Sequence, residues 1–530
     1  MIKKNEMWSR REFVRFIGGV STGIIFSASS KATTNDKASL PSVRATDEDA
    51  VVLIDGLNYN ILISWGEQIN TFGETFGFNN DYINYVLIDN NPDDCLMWVN
   101  HEQAVHGYFS TPDQPEKKTK EDVEKECRDV GGSILRLKKT AGKWRVIKND
   151  KYNKRIDALT DIPLVSDRPI LGKSSALGTF GNCAGGKTPW NTILSCEENY
   201  HHFIGEVDLS GKERVYTYAG ISGWTRFFDM PPEHYGWVVE IDPFTGNARK
   251  HTSMGRFAHE SATVVEAKNK HCVVYSGDDK ANECLYKFIA DKPGQLESGK
   301  LYVADAVNGR WLLLDVSKNP DLKDRFRDQL DMLIRCREAA SLAGGTPLDR
   351  PEDIEVDPVS GAVFITLTKN AEANRPFGSI LKIEEENNDP LSLTFNASNF
   401  LTGGEDTGFA CPDNLAFDKK GNLWFTSDIS SYQLNKRPYS SFKNNGLFFV
   451  PMSGPDAGMI FQLGSAPVQA EFTGICFSAD GKSMFLSVQH PGEESKNKNR
   501  LDSHWPEGGD SLPRPSVIII EGEFLNRYCV

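Results

Sequence analysis

Leu194-Ser195-Cys196-Glu197-Glu198-Asn199 places a thiol beside two carboxylates at the end of an apolar, strand-like run, Trp190 to Leu194. A thiolate is a soft ligand that suits iron or zinc, and carboxylates are hard ligands that suit calcium or iron. Both kinds within three residues fit a mixed or multi-metal centre. The same hexapeptide also fits a buried cysteine followed by a solvated acidic turn, so the choice rests on what joins it. Acidic residues recur in matching contexts. Glu260, the pair Glu352 and Asp353, and Asp413 with Asn414 stand at the entrances of strand-like segments. Asn100-His101-Glu102, Cys196-Glu197-Glu198, Asp278-Asp279 and Asp428 stand at the ends of others. Carboxylates gathered on one axis repel and hold protons unless cations neutralise them, and calcium or iron would resolve that conflict. Arg350 precedes Glu352 by two residues. An extended backbone, which Pro351 favours at Arg350, would put both on one face. A cation there suits the outer oxygens of a phosphate, and a structural Arg–Glu pair fits the spacing equally well.

Strands must bring these residues together. Pro351 to Asp357 leads through Ser360-Gly361 into Ala362 to Thr366; Pro412 to Asp418 leads through Lys420-Gly421 into Asn422 to Asp428; Phe472 to Ser478 leads through Asp480-Gly481 into Ser483 to Ser487. Each unit is strand, hairpin turn, strand, with a glycine free to take the positive φ that a tight turn needs. The units start about 60 residues apart, the period of a propeller blade with insertions. Ala258 to Ser261 with Cys272 to Asp279, and Trp237 to Asp242, are weaker relatives; Leu96 to Glu102 and Trp190 to Cys196 read as further second strands. Helical periodicity is confined to Lys117 to Cys127 and Asp321 to Leu342, both read as insertions. The expected fold is all-β: a six-bladed β-propeller with helical and loop insertions, a single catalytic domain over residues 51–530.

A formal net charge of −14 over 530 residues excludes nucleic-acid binding and attraction to anionic membranes, both of which need a basic face. An anionic substrate would then need local cations. Ten cysteines without a CxxC pair exclude a zinc ribbon or a thioredoxin motif. No H-E-x-x-H occurs, the G-x-S-x-G match at Gly19 to Gly23 falls in the leader rather than at a strand-to-helix elbow, and no glycine-rich nucleotide loop sits between a strand and a helix. Ser9-Arg10-Arg11-Glu12-Phe13-Val14-Arg15, followed by the mildly apolar Phe16 to Ala28, predicts a twin-arginine signal peptide over 1–35, then a disordered linker over 36–50. The apolar stretch is too short and polar for a stable membrane anchor. The twin-arginine translocase is therefore an expected partner, the location periplasmic or secreted, and the mature protein a monomer.

Together these residues carry a resemblance. Val99-Asn100-His101-Glu102, Gly181-Asn182-Cys183-Ala184-Gly185-Gly186, Thr188-Pro189-Trp190, Leu194 to Asn199, His259-Glu260, Gly277-Asp278-Asp279, Arg350-Pro351-Glu352-Asp353, Pro412-Asp413-Asn414 and His504-Trp505-Pro506 appear in order. In these motifs the chain resembles the PhoX family of secreted bacterial alkaline phosphatases. The resemblance implies a propeller holding Fe3+ and Ca2+ at one mouth, with a cysteine bridging two irons. Carried over, Cys196 becomes the bridging thiolate, Glu260 an iron ligand, Glu352 a carboxylate reaching calcium, and Arg350 the phosphate contact; these four form the expected catalytic set. Register adds Glu102, Glu197, Asp278 and Asp413 as further metal ligands. Asn191 stands where the family pattern has a small residue. The expected activity is metal-assisted hydrolysis of phosphomonoesters. Two alternatives are a calcium-dependent propeller hydrolase of phosphodiesters, phosphotriesters or lactones, and a non-enzymatic ligand-binding propeller.

Overall fold

Valine, isoleucine, phenylalanine and tryptophan alternate through short segments that end in glycine and aspartate turns. In the computed structural model, which describes residues 40–104, 112, 114–211 and 213–530, these segments form six blades, antiparallel but for the pairing of Ala248–His251 with Asp161–Val165 in blade two. The predicted hairpins are present, and Gly361, Gly421 and Gly481 take φ of 75°, 77° and 74°. The inner strands, one per blade in chain order, are Asn80–Leu87, Asn182–Lys187, His259–Glu266, Pro351–Val356, Pro412–Phe417 and Glu471–Phe477. Each packs on its neighbours around a ring, and the last packs on the first.

Alternation explains why the blades stack. Side chains of successive strand residues point to opposite faces, so a blade between two others must be apolar on both. In blade five, Phe425 packs toward blade four with Phe364 and Ile380, while Trp424 packs toward blade six with Met484 and Leu486. Six apolar clusters of this kind fill the six interfaces. The ring is closed by Leu57–Ser64, which pairs with Ser516–Gly522 as the outer strand of blade six.

The twin-arginine segment lies outside the described residues. The expected linker needs correction where it is described. Leu40 is buried in the cluster between blades five and six, and the Val43 N–H donates to the Gln462 carbonyl at 2.8 Å. Asp49 accepts from Ser503 Oγ at 2.6 Å and from the His504 N–H at 2.7 Å. The outer edge of blade five offers unpaired backbone groups there, and this segment satisfies them. The first predicted helix forms at Lys120–Asp129 behind a Thr119–Asp122 capping box. The second breaks into Pro320–Arg325, Gln329–Ile334 and Cys336–Ala343, because Asp328 caps a new start by accepting from the Asp331 N–H. No helix among the described residues is long and apolar enough to cross a membrane.

Candidate metal centre

The same irregularity recurs in all six blades. Pairing between the inner strand and its neighbour slips between Asn80 and Ile83, Asn182 and Gly185, Glu260 and Thr263, Pro351 and Ile354, Pro412 and Leu415, and Thr473 and Cys476. A bulge leaves residues outside the ladder and re-aims their side chains. Here the second residue of the inner strand is Asp81, Cys183, Glu260, Glu352 and Asp413 in blades one to five. The third residue ties blades together instead. Asp353 accepts from the Leu415 N–H at 2.7 Å and hydrogen-bonds Ser261, while Asn414 Oδ1 accepts from the Gly474 N–H at 3.1 Å. A second ring comes from the residue just past each second strand: Glu102, Glu198, Asp279, Thr368, Asp428 and His490.

Three ligand groups result, each with donor atoms within 4.8 Å of one another: Asp81, Glu102 and Cys183; Cys183, Glu198 and Glu260; Glu260, Glu352 and Asp413. They form a chain, because Cys183 belongs to the first two and Glu260 to the last two. The donors fit cations on two further grounds. Both carboxylate oxygens of Glu260 are buried without a hydrogen-bond partner, as is Asp81 Oδ1, a condition that buried carboxylates rarely tolerate. Without cations the cluster would also hold protons. Burial, then the charge of Glu102, raises Asp81 to about 7. Burial, then Glu352 and Asp413, pushes Glu260 far above the carboxylate range, and burial with Glu352 does the same to Asp413. Burial and the Asp81 carboxylate push the Cys183 thiol up. Bound cations would reverse all of these directions.

Neighbouring amides hold the donors. Gln489 Nε2 donates to Asp81 Oδ2 at 3.2 Å and Glu102 Oε2 at 3.0 Å, and Asn199 Nδ2 donates to Glu102 Oε1 at 3.1 Å and Glu198 Oε2 at 2.6 Å. Asn100 fixes the cysteine backbone: its Nδ2 donates to the Cys183 and Ala184 carbonyls while its Oδ1 accepts from Trp98 Nε1 and Ser195 Oγ. Outer-shell groups of this kind are typically worth 10–100-fold in metal affinity. Asn100→Ala is therefore expected to weaken metal retention by roughly that factor, read by titrating a chelator against the loaded protein. Unchanged retention would remove Asn100 from the centre.

Arg350 reaches the cluster by a different backbone than expected. Its φ is 54°, in the left-handed region, so the extended conformation expected before Pro351 is corrected. The guanidinium nevertheless meets Glu352, with Nη2 2.7 Å from Oε1, and Asp279 holds Nε and Nη2 at 2.8 Å each. Burial disfavours the charge on Arg350, but Asp279 and Glu352 outweigh it and hold the group protonated. An uncommon φ at such a position is the kind of strain that functional sites keep.

Of the residues expected from sequence, Glu102, Glu260, Glu352 and Asp413 come together, with Arg350 against them. Cys196, Glu197 and Asp278 do not. Cys196 is fully buried in the apolar cluster with Leu194, Val238, Met254 and Phe257. The thiol in the centre is Cys183, and it alone of the ten cysteines is half-buried rather than buried. Glu197 turns into blade two, where Lys250 Nζ lies 2.6 Å from it and the Gly236 and Trp237 N–H groups donate to it. Asp278 is clamped by Arg337 through Nε at 2.8 Å and Nη2 at 2.5 Å. Asp81, Cys183, Glu198 and Asp279 were not assigned from sequence. The signal that finds them is strict position: second in the inner strand, or first beyond the second strand.

A sequence model described as "Alkaline phosphatase PhoX" matches residues 38–492. The structure of Pseudomonas fluorescens PhoX in complex with vanadate, a transition state analogue, is similar with a TM-score of 0.79 at 29% identity, covering 91% of this chain and 98% of that one. A gluconolactonase of Xanthomonas campestris is similar at a TM-score of 0.31 and 10% identity, covering 91% of this chain and 99% of that one. A protein of unknown function from Dyadobacter fermentans is similar at a TM-score of 0.34 and 9% identity, covering 89% and 100%. No curated protein matches in sequence.

Proposed function

This chain belongs to the PhoX alkaline phosphatase family and is a phosphatase, and from that premise we propose that it is an exported enzyme hydrolysing phosphomonoesters with iron and calcium ions held at the propeller mouth. The observation that carries the reading is the chain of three ligand groups sharing Cys183 and Glu260. A shared sulfur suits a pair of soft or borderline ions such as iron, and the all-carboxylate group of Glu260, Glu352 and Asp413 suits calcium. Bound there, such ions would supply Lewis acidity and cancel the charge of a phosphate dianion. That need is acute in a mouth where carboxylates far outnumber the cationic Arg350, Lys369 and His490. The vanadate complex of the related Pseudomonas fluorescens protein supports the view that the fold accommodates a phosphoryl group in transit.

The protein's own residues do the positioning. Asp279 orients the Arg350 guanidinium through two bonds before substrate arrives, so the arginine can receive equatorial phosphate oxygens with little reorganisation. Asn199, Gln489 and Asn100 fix donors by amide contacts that neither titrate nor compete for the proton. The twin-arginine pattern supports export to the periplasm or beyond.

Elemental analysis of protein purified from a twin-arginine-competent host is expected to find both iron and calcium. Hydrolysis of an aryl phosphate is expected to stop with chelator and return with both metals. Full activity in metal-stripped protein, or calcium without iron, would reject the reading.

A further inference from the structure

A cavity of about 450 Å³ opens beside the metal centre, and its lining is not suited to more phosphate. Glu102 marks its inner end, where the first ligand group lies. It is also lined by Asp428, Glu471, Glu493 and Glu494, with His490 and the ring of Tyr432. His490 is held protonated against its burial by Glu493 and Glu471, and both its ring nitrogens are taken, Nδ1 by the Gln469 carbonyl and Nε2 by Glu471. Lys369 stands behind Asp428, with Nζ 2.6 Å from Ser430 Oγ. Burial, then the charge of Asp428, keeps a proton on Glu471, so Asp428, Glu493 and Glu494 set three negative charges against these two cations and leave one uncompensated among the described residues. One buried acceptor in the lining also lacks a donor. Gln489, 1% exposed, spends its amide N–H groups on Asp81 and Glu102 and leaves Oε1 without a partner. Tyr432 is 57% exposed, a ring face of the kind that attracts an ammonium.

Resting on the phosphomonoesterase reading above, we propose that this cavity receives the alcohol part of the substrate and selects esters whose alcohol carries a positive charge. A phosphate seated at the centre would place the rest of the ester in the cavity. An ammonium group there meets an unpaired acceptor, surplus negative charge and an aromatic face. A second phosphate or carboxylate meets repulsion instead, which costs complexes far more than a neutral contact does. Glu493 and Glu494 are exposed at the rim and stand outside the three ligand groups, so their charge can be removed without touching the metals.

The test compares kcat/KM for phosphoethanolamine with kcat/KM for glycerol 3-phosphate and for a sugar bisphosphate on the same metal-loaded enzyme, with an aryl phosphate as reference. Because the readout is a ratio, any general loss of activity cancels. The expected order is phosphoethanolamine, glycerol 3-phosphate, bisphosphate, with the first and last separated by roughly tenfold or more. Glu493→Gln with Glu494→Gln should compress that ratio severalfold, and added salt should compress it too. A bisphosphate used as well as phosphoethanolamine, or a ratio that the double substitution leaves unchanged, overturns the inference while aryl phosphate turnover leaves the phosphatase reading standing. Absence of turnover on every ester overturns both.

Discussion

Replacing Cys183 with alanine is expected to lower aryl phosphate turnover roughly 10³-fold or more and to leave the purified protein short of iron. Cys196→Ala should leave activity and metal content near those of the parent. The contrast follows from where the two thiols sit. Cys183 Sγ belongs to two of the three ligand groups and lies 3.1 Å from Asp81 Oδ2. Removing it takes one donor from both of those groups at once and leaves Asp81, Glu198 and Glu260 to repel one another across the gap. Cys196 touches Leu194, Val238 and Met254, so its loss is a core truncation with a cost of about 1 kcal/mol in stability and none in ligation. Cys183→Ser refines the test. It keeps a small polar atom but exchanges a soft donor for a hard one, which should spare calcium and release iron. Metal content by elemental analysis, set beside kcat, checks all three variants. A Cys183→Ala protein with full iron, or a Cys196→Ala protein without it, would return the bridging role to Cys196.

That misassignment shows what a single sequence exposes and what it hides. The repeats were legible because Pro351 to Thr366, Pro412 to Asp428 and Phe472 to Ser487 share apolar alternation and a glycine turn at one offset, and the six blades follow from that repeat. Glu260, Glu352 and Asp413 were legible because their strands were. The inner strand of blade two reads Asn-Cys-Ala-Gly-Gly-Lys and has no alternation to find. Its glycines are there for contact: a Cβ on Gly186 would sit 1.9 Å from the Ala262 carbonyl oxygen, and one on Gly185 2.3 Å from that of Leu194. Blade three and the second strand approach too closely for a side chain, and the requirement that makes this strand possible erases its signature. Glu197 and Asp278 failed for another reason. Each is the last residue of its second strand, whereas Glu102 is the first beyond. A slip of one position along a strand reverses the face, so Glu197 meets Lys250 and Asp278 meets Arg337. Glu198 and Asp279 are the true counterparts of Glu102.

The metal-free protein should grow less stable as pH rises from 5 to 8, and the loaded protein more stable over the same range. In the folded chain without cations, Asp81 sits at about 7 against 3.8, and Glu198, Glu260, Glu352 and Asp413 are displaced in the same direction by burial first and by neighbouring carboxylates as well, against the opposing charge of Arg350 at Glu352. The folded state then binds more protons than the unfolded chain across that interval, and stability falls with pH wherever that holds. The contribution is complete below about pH 4 and is lost as pH climbs through about 7 for Asp81, which alone accounts for roughly 4 kcal/mol. Cations invert the sign. They take ligands deprotonated, so loading releases protons and tightens as pH rises, and metal bound only to the folded state stabilises it in proportion to its affinity. Thermal unfolding at pH 5, 6.5 and 8, with chelator and with saturating iron and calcium, should give midpoints that diverge with pH. A chelated midpoint that rises toward pH 8 would show that the buried carboxylates are not the cation site. The same divergence explains why such a cluster suits an alkaline enzyme. The acidity that would let the empty mouth hold its own charge as protons is the acidity that strips the ligands, so the proposed metal centre would be assembled most tightly where protons are scarce.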